Sequence, residues 1–420
     1  MIGSPLALVA YAVLAVGYAR LTPIWQNPDE PAHFNYVEYV ASTGGLPELK
    51  PGDWDSALLE RLKTGALQPG DSVASIRYEG WQPPLFYLAA APVVALGGTA
   101  DVPAAVMRLR LFDAVLGGVT VVLGYLVARE VLPVALAVAV PVVMAGVPMF
   151  AAVSASVSAD PLANLLAAAA LLYLVWRLRR SVNDWRWPLG AGALIGLGML
   201  TKLALAIFVP LALGVVVLRA ARPARETVLM LATAAVVMLP WLVHQVTTYG
   251  WTDPLALNRH SAVVLDQPRF PGLSPEYVVD FATTTFHSFW AQFGWMAVVA
   301  PARLYWTWGV LTLIGVAGFL RARACLSKPA WKLMIATVLT AGIAYVGYNL
   351  TFEQFQGRYL FVALAPLAIL LVLGWAAWVP GRAQAWVTLL AAAGLVVLNA
   401  YALLRVLVPG FAPGPLTLLG

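Results

Sequence analysis

Eleven apolar runs, each near the roughly 20 residues that a helix needs to cross a bilayer, constrain this sequence more than any single motif. They lie at about 5–22, 105–128, 132–150, 160–178, 188–201, 203–219, 227–248, 302–320, 333–350, 359–379 and 385–408. Of 420 residues, 61% are hydrophobic and 11% charged, against about 25% charged in a soluble domain. The chain reads as an all-α polytopic membrane protein, one transmembrane domain over 1–420. The first run has no basic leader or cleavage site and is expected to be an uncleaved span. The run at 83–98 opens with Pro83-Pro84 and closes with Gly97-Gly98; it is expected to lie along the membrane surface. The pair at 188–219 is split by Thr201-Lys202. A single cysteine, Cys325, excludes an internal disulfide.

Charge sets the sidedness. The net charge of +6 sits in short clusters between apolar runs, a topology signal that argues against nucleic acid as a partner. One set of loops holds Arg129, Arg177, Arg179, Arg180, Arg186, Arg219, Arg222, Arg225, Arg321, Arg323, Lys328, Lys332 and Arg382. That is 13 of the 26 basic residues, beside three acids, Glu130, Asp184 and Glu226. This side is read as the inside, with the N-terminus. The outer face then carries loops at 23–104 and 249–301 and a short turn at 351–358. In the first, helices are expected at Pro31–Thr43, stopped by Gly44-Gly45, and at Asp53–Thr64. The second is rich in aromatics, among them Phe281, Phe286, Phe289, Trp290, Phe293 and Trp295.

The candidate chemistry lies on that outer face. Asn27-Pro28-Asp29-Glu30-Pro31-Ala32-His33-Phe34 places two adjacent carboxylates just after the first span, where charge is expensive to keep. Asp29 and Glu30 are candidate catalytic groups, a general base for an attacking hydroxyl, although capping of the following helix would also use them. Asp160, before Pro161, is a second acidic site or a helix cap. His33 follows Asp29 by four residues and is a candidate substrate contact; with Asp29, Glu30 and Asp160 it could hold a divalent metal, or serve as a hydrogen-bonded structural group. Arg358 is a cation on the face that topology keeps poor in cations, so it is a candidate phosphate ligand or a partner of Glu353. Lys202 is a similar exception. Arg108 and Arg110 lie near the outer surface, where they could also be interfacial anchors. Glu79 and Gln82 are candidate sugar contacts, and Trp81 could stack on the sugar or anchor at the interface. The glycines of Gly192-Ala193-Leu194-Ile195-Gly196 suit close helix packing. No phosphate-binding loop, paired-cysteine site or zinc-protease helix motif is evident.

The run Pro28-Asp29-Glu30-Pro31-Ala32-His33-Phe34 resembles the opening motif of the GT-C superfamily of membrane glycosyltransferases, notably bacterial relatives of the protein O-mannosyltransferases and aminoarabinose transferases. Further likeness comes, in family order, from Gln82-Pro83-Pro84-Leu85-Phe86-Tyr87, Leu200-Thr201-Lys202, Phe289-Trp290-Ala291-Gln292-Phe293-Gly294-Trp295 and Gly357-Arg358-Tyr359-Leu360. The resemblance implies a helical domain around a cavity open to the outer leaflet of a bacterial plasma membrane. It also implies a sugar donor carried on a polyprenyl phosphate, and a lipid, glycan or protein acceptor. By position, Asp29 matches the first-loop catalytic acid and Asp160 the second-loop acid. Lys202 and Arg358 match contacts to the donor phosphate, with Trp290 and Gln292 as further substrate contacts. The sequence departs from the resemblance in ending near Gly420, without the large soluble domain that some relatives use for acceptors. It also lacks the acid–lysine pair that aminoarabinose transferases carry before these prolines. A transporter or flippase, and a non-catalytic subunit of an envelope assembly complex, are the competing classes; the latter does not need Asp29, Asp160, Lys202 and Arg358 to converge.

Overall fold

The computed structural model describes residues 3–65, 68, 70–180 and 184–411. Helix α1 (Gly3–Leu21) leads into a long loop that carries α2 (Glu30–Thr43), α3 (Ser56–Lys63) and α4 (Leu85–Ala95). The bundle continues through α5 (Val102–Val131), then α6 (Val134–Ala137), α7 (Ala139–Ala145) and α8 (Pro148–Val153). After α9 (Asp160–Arg179), α10 (Arg186–Met199), α11 (Phe208–Arg219) and α12 (Pro223–Tyr249), a second loop holds α13 (Leu257–Val263) and α14 (Pro275–Trp290). The last part comprises α15 (Ala302–Arg321), α16 (Pro329–Asn349), α17 (Leu364–Ala376) and α18 (Ala383–Ala402). Strands are confined, among the described residues, to a hairpin that pairs Gln292 with Val299 and Phe293 with Val298.

Seven of the expected spans are helices long and apolar enough to cross a membrane: Val102–Val131, Asp160–Arg179, Pro223–Tyr249, Ala302–Arg321, Pro329–Asn349, Gly357–Ala376 and Ala383–Gly410. The run expected at 132–150 is instead broken into α6, α7 and α8. Pro133, Pro141 and Pro148 each remove a backbone donor and sit in the first turn of a new helix or just before it. Helix α4, 11 residues with Pro92 inside it, is about 16 Å long, well short of a hydrocarbon core of about 30 Å. The helix expected from Asp53 begins at Ser56, because Asp55 caps it by accepting from Leu58 N–H at 2.9 Å. Asp53 is drawn instead to Arg77. The second outer loop carries two helices, α13 and α14, and the hairpin.

Two apolar cores result. The larger packs α1, α5, α7, α9 and α17 against one another; the smaller lies under the first loop, with Phe34, Val37, Leu59, Phe86 and Leu109 at its centre. Leu162, two residues beyond Asp160, touches both, so the start of α9 lies at their seam. Small residues bring the helices close. A Cβ on Gly192 would lie 2.3 Å from the carbonyl of Met230 on α12, and one on Gly318 would lie 1.9 Å from that of Gly374. Only glycine permits those approaches.

Candidate active site

Asp29 immediately precedes α2, where a carboxylate would ordinarily cap the helix. It makes no cap bond, because its backbone is left-handed, with φ 66°. Asp tolerates this region better than most side chains, and the chain is held there by His33 N–H, which donates to the Asp29 carbonyl at 3.0 Å. The carboxylate is thereby turned away from the helix. Its Oδ1 accepts from the Tyr78 hydroxyl at 2.8 Å, and its Oδ2 from the Arg358 guanidinium at 2.5 Å.

Arg358 is the second residue of the 3-10 turn Gly357–Ala363. Gly357 allows that turn to press against α14: an added Cβ would lie 2.4 Å from the Thr285 carbonyl, and Gly357 N–H donates to Ser288 Oγ at 2.7 Å. No ion pair joins Arg358 to Glu353 among the described residues. Its second guanidinium nitrogen lies 3.7 Å from Asp160 Oδ2. Asp160 does not cap α9 either; its Oδ1 pairs with the Lys202 ammonium. Lys202 sits in extended backbone at the break between α10 and the turn Leu203–Ile207. The ring of Tyr359 lies 5.2 Å from the Lys202 ammonium and 5.4 Å from the Arg358 guanidinium.

Four residues from four distant segments thus form one alternating row, Asp29–Arg358–Asp160–Lys202. Two carboxylates balance two cations, which lets the row survive in apolar surroundings. The inner members are buried, with side-chain exposures of 4% for Arg358 and 9% for Asp160. The outer members, Asp29 and Lys202, are each 25% exposed. The row is therefore reachable at its ends.

Two further titratable groups, His33 and Glu79, adjoin it. Burial by itself would raise the Asp29 carboxyl, but Arg358 and His33 outweigh it and hold that carboxyl below its usual range. His33 is bonded through Nδ1 to the Tyr87 hydroxyl at 2.9 Å. Burial lowers its imidazole to about 4, against the opposing pull of Asp29, so it is neutral at pH 7. Glu79 is pushed up to about 8, by burial first and the Asp29 charge second, with Lys202 and Gln82 offsetting part of this. Its Oε2 has no hydrogen-bond partner among the described residues.

Other expected members lie elsewhere. Glu30 is not an open carboxylate. It is clamped by Arg110 at 2.8 and 2.7 Å, and it accepts from Trp25 N–H, Asn27 Nδ2 and Val157 N–H as well. Arg110 donates in addition to the carbonyls of Ala19, Thr22 and Pro23 at the end of α1. This pair ties α1, α5 and the first loop together, so Arg110 is no interfacial anchor. Arg108, by contrast, stays at the surface on the Gly98 carbonyl. Trp290 is a core residue stacked on Trp308 at 5.5 Å. Gln292 donates to the Met296 carbonyl and closes its own hairpin. Trp81 packs on His260 at 4.8 Å, whereas the Gln82 side chain stays by the row, hydrogen-bonded to Glu79.

No three His, Cys, Asp or Glu side chains group as a metal site among the described residues. Of the four metal candidates, Glu30 is engaged by Arg110, and Asp29 and Asp160 by cations. The arrangement fits an anion between cations better than a cation between carboxylates.

Tyr78 and Tyr359 were not singled out as site residues, although each adjoins one that was. Arg110 carried a usable signal: a cation and Asp113 inside an otherwise apolar run demand buried partners.

Residues 82–244, which include Gln82, Asp160 and Lys202, match the family model described as dolichyl-phosphate-mannose-protein mannosyltransferase. Among solved structures, the chain is similar to ArnT from Cupriavidus metallidurans bound to undecaprenyl phosphate: 14% identity, TM-score 0.56, covering 97% of this chain and 73% of that one. It is also similar to the apo oligosaccharyltransferase of Archaeoglobus fulgidus, with 16% identity and TM-score 0.51, covering 97% of this chain and 55% of that one. The same archaeal protein, AglB, matches at 16% identity and TM-score 0.51 in its complex with an inhibitory peptide and a dolichol-phosphate. No curated protein matches the sequence. The chain has the fold of the GT-C membrane glycosyltransferases. It spans about half the length of the archaeal protein.

Proposed function

We propose that this protein is a glycosyltransferase that moves a sugar from a polyprenyl-phosphate donor to an acceptor hydroxyl at the outer face of the membrane. The observation that carries this reading is the convergence of Asp29, Arg358, Asp160 and Lys202 into one row whose ends are partly exposed. The lipid phosphates in the ArnT and AglB complexes support the donor class, and the clustering of basic residues in the opposite loops supports the outer face. The donor phosphate takes the place of Asp29 on Arg358 and joins Asp160 beside Lys202. That exchange frees Asp29, an ionised carboxylate that becomes more basic as the guanidinium leaves it and so can accept a proton. The acceptor oxygen attacks the anomeric carbon as its proton passes to Asp29. The bond from that carbon to the phosphate oxygen breaks, and the polyprenyl phosphate leaves with the electron pair. The two cations stabilise the charge that grows on it. A single displacement of this kind inverts the anomeric centre. Asp160 holds both cations in register.

The test is turnover of radiolabelled polyprenyl-phosphate sugars by purified protein, alongside Asp29→Asn. Loss of about 100-fold or more, with the melting profile kept, is expected for a general base. A folded Asp29→Asn protein with full transfer activity would sink the assignment. A transport reading predicts donor binding without cleavage in either protein.

A further inference from the structure

At the end of the bundle opposite the acidic row lies a cleft of about 510 Å3. Helix α9 connects the two places: it starts at Asp160 and reaches the cleft at Arg179, about 30 Å away at 1.5 Å per residue. That is the thickness of a hydrocarbon core, so the cleft lies at the other membrane boundary. Its rim carries Arg129, Arg179, Arg219 and Lys328, with one carboxylate, Glu130.

Glu130 lies 3.7 Å from Arg179 and 3.5 Å from Arg180. Arg129 rests on Tyr125, and Arg129, Arg219 and Lys328 have no carboxylate partner among the described residues. Topology alone asks for cations at this end, but not that they share a cleft. Arg177 makes them share it. Buried beneath the rim, it donates to the carbonyls of both Arg180 and Arg219, binding the ends of α9 and α11 together. The cleft is also walled by Leu132, Leu178 and Trp331, all buried. The first turn of α16 lines it too, so the positive end of a 21-residue helix faces the same space. An anion with an apolar body fits such a place: phosphate against the cations, acyl chains along the helices.

We propose that this cleft binds the phosphate of an anionic phospholipid. The inference does not depend on the reaction at the other end. Native mass spectrometry of the purified protein in an equimolar mixture of phosphatidylglycerol and phosphatidylcholine tests it. Retention of phosphatidylglycerol is expected to exceed that of phosphatidylcholine. It should fall by about fivefold per cation removed, roughly 100-fold in Arg129→Gln/Arg219→Gln/Lys328→Gln. Arg382→Gln, in another loop of the same end, should retain the lipid like the parent. So should Arg129→Lys/Arg219→Lys, which keeps the charge and controls for misfolding of the triple variant. Equal retention of the two lipids, or unchanged retention in a folded triple variant, overturns the site. Displacement of phosphatidylglycerol by millimolar inorganic phosphate would overturn the lipid assignment in favour of a soluble phosphate ligand.

Discussion

Glu30→Gln removes one charge from a pair that has no water to fall back on. The side chains of Glu30 and Arg110 are 0% and 2% exposed, and the carboxylate serves five contacts: two from the guanidinium, one from Asn27, and the backbone N–H groups of Trp25 and Val157. Glutamine keeps one acceptor oxygen and leaves the guanidinium uncompensated. Breaking such a pair from one side costs about 3–5 kcal/mol. Arg110→Gln should cost a similar amount, since it strands Glu30 and abandons three carbonyls at the end of α1. The double variant should be less destabilised than the two singles added together, by up to about 3 kcal/mol, because each single leaves a buried charge that the double does not. Asp29→Asn is the contrast. Asn favours left-handed backbone, its site is partly exposed, and Arg358 keeps Asp160 as a neighbour. Its cost should stay within about 1 kcal/mol, the order of an ordinary hydrogen bond. Denaturant unfolding in detergent micelles, followed by tryptophan fluorescence, measures all four. A Glu30→Gln protein as stable as the parent but devoid of turnover would refute the clamp and return Glu30 to the chemistry.

Arg358→Lys keeps the charge but loses the planar fork that reaches both Asp29 and Asp160. A loss of one charge-assisted hydrogen bond, about 1.5–3 kcal/mol, predicts a fall of about 10- to 100-fold in kcat/KM for the donor, and unchanged values would argue against it. Glu79 binds its proton up to about pH 8 in the folded protein but only to its ordinary carboxyl value when unfolded. Its contribution to stability is therefore complete below about pH 4.5 and lost as pH rises to about 8. Glu79→Gln should flatten stability measured across that window. His33 runs the other way: its folded value of about 4 lies below the unfolded one. Stability present above about pH 6.5 is lost as pH falls toward 4, and His33→Gln should remove that slope. Gly192→Ala forces α10 away from α12 and should cost about 1–3 kcal/mol; a neutral effect in the same unfolding assay would mean that the helices part freely.

Much of the architecture was written in local patterns. Apolar runs of membrane length marked the helices, Pro31 and Gly44 bounded α2, and the glycines at 192 and 196 marked a close helix contact. Asp29, Asp160, Lys202 and Arg358 could be picked out because a charge in apolar company, or on the side that topology keeps poor in cations, is costly wherever the chain goes. That cost is a property of a residue and its near neighbours, so it can be read along the sequence.

The choice of partner is not such a property. Asp29 and Glu30 are adjacent and chemically alike, yet one carboxylate meets Arg358, 329 residues away, and the other meets Arg110 in a closed clamp. A left-handed φ at Asp29 parts them, and it is sustained by contacts made only once the first loop has packed. The aromatic run 289–295 looked uniform, but Trp290 turned into the core and Gln292 onto its own hairpin, because helix α14 ends at Trp290 and a strand begins at Gln292. The sequence by itself determined that this chain spans a membrane and keeps four expensive charges near one surface. Only the tertiary structure decided which charges share a site, because pairing depends on distance in space, to which separation along the chain sets only an upper limit.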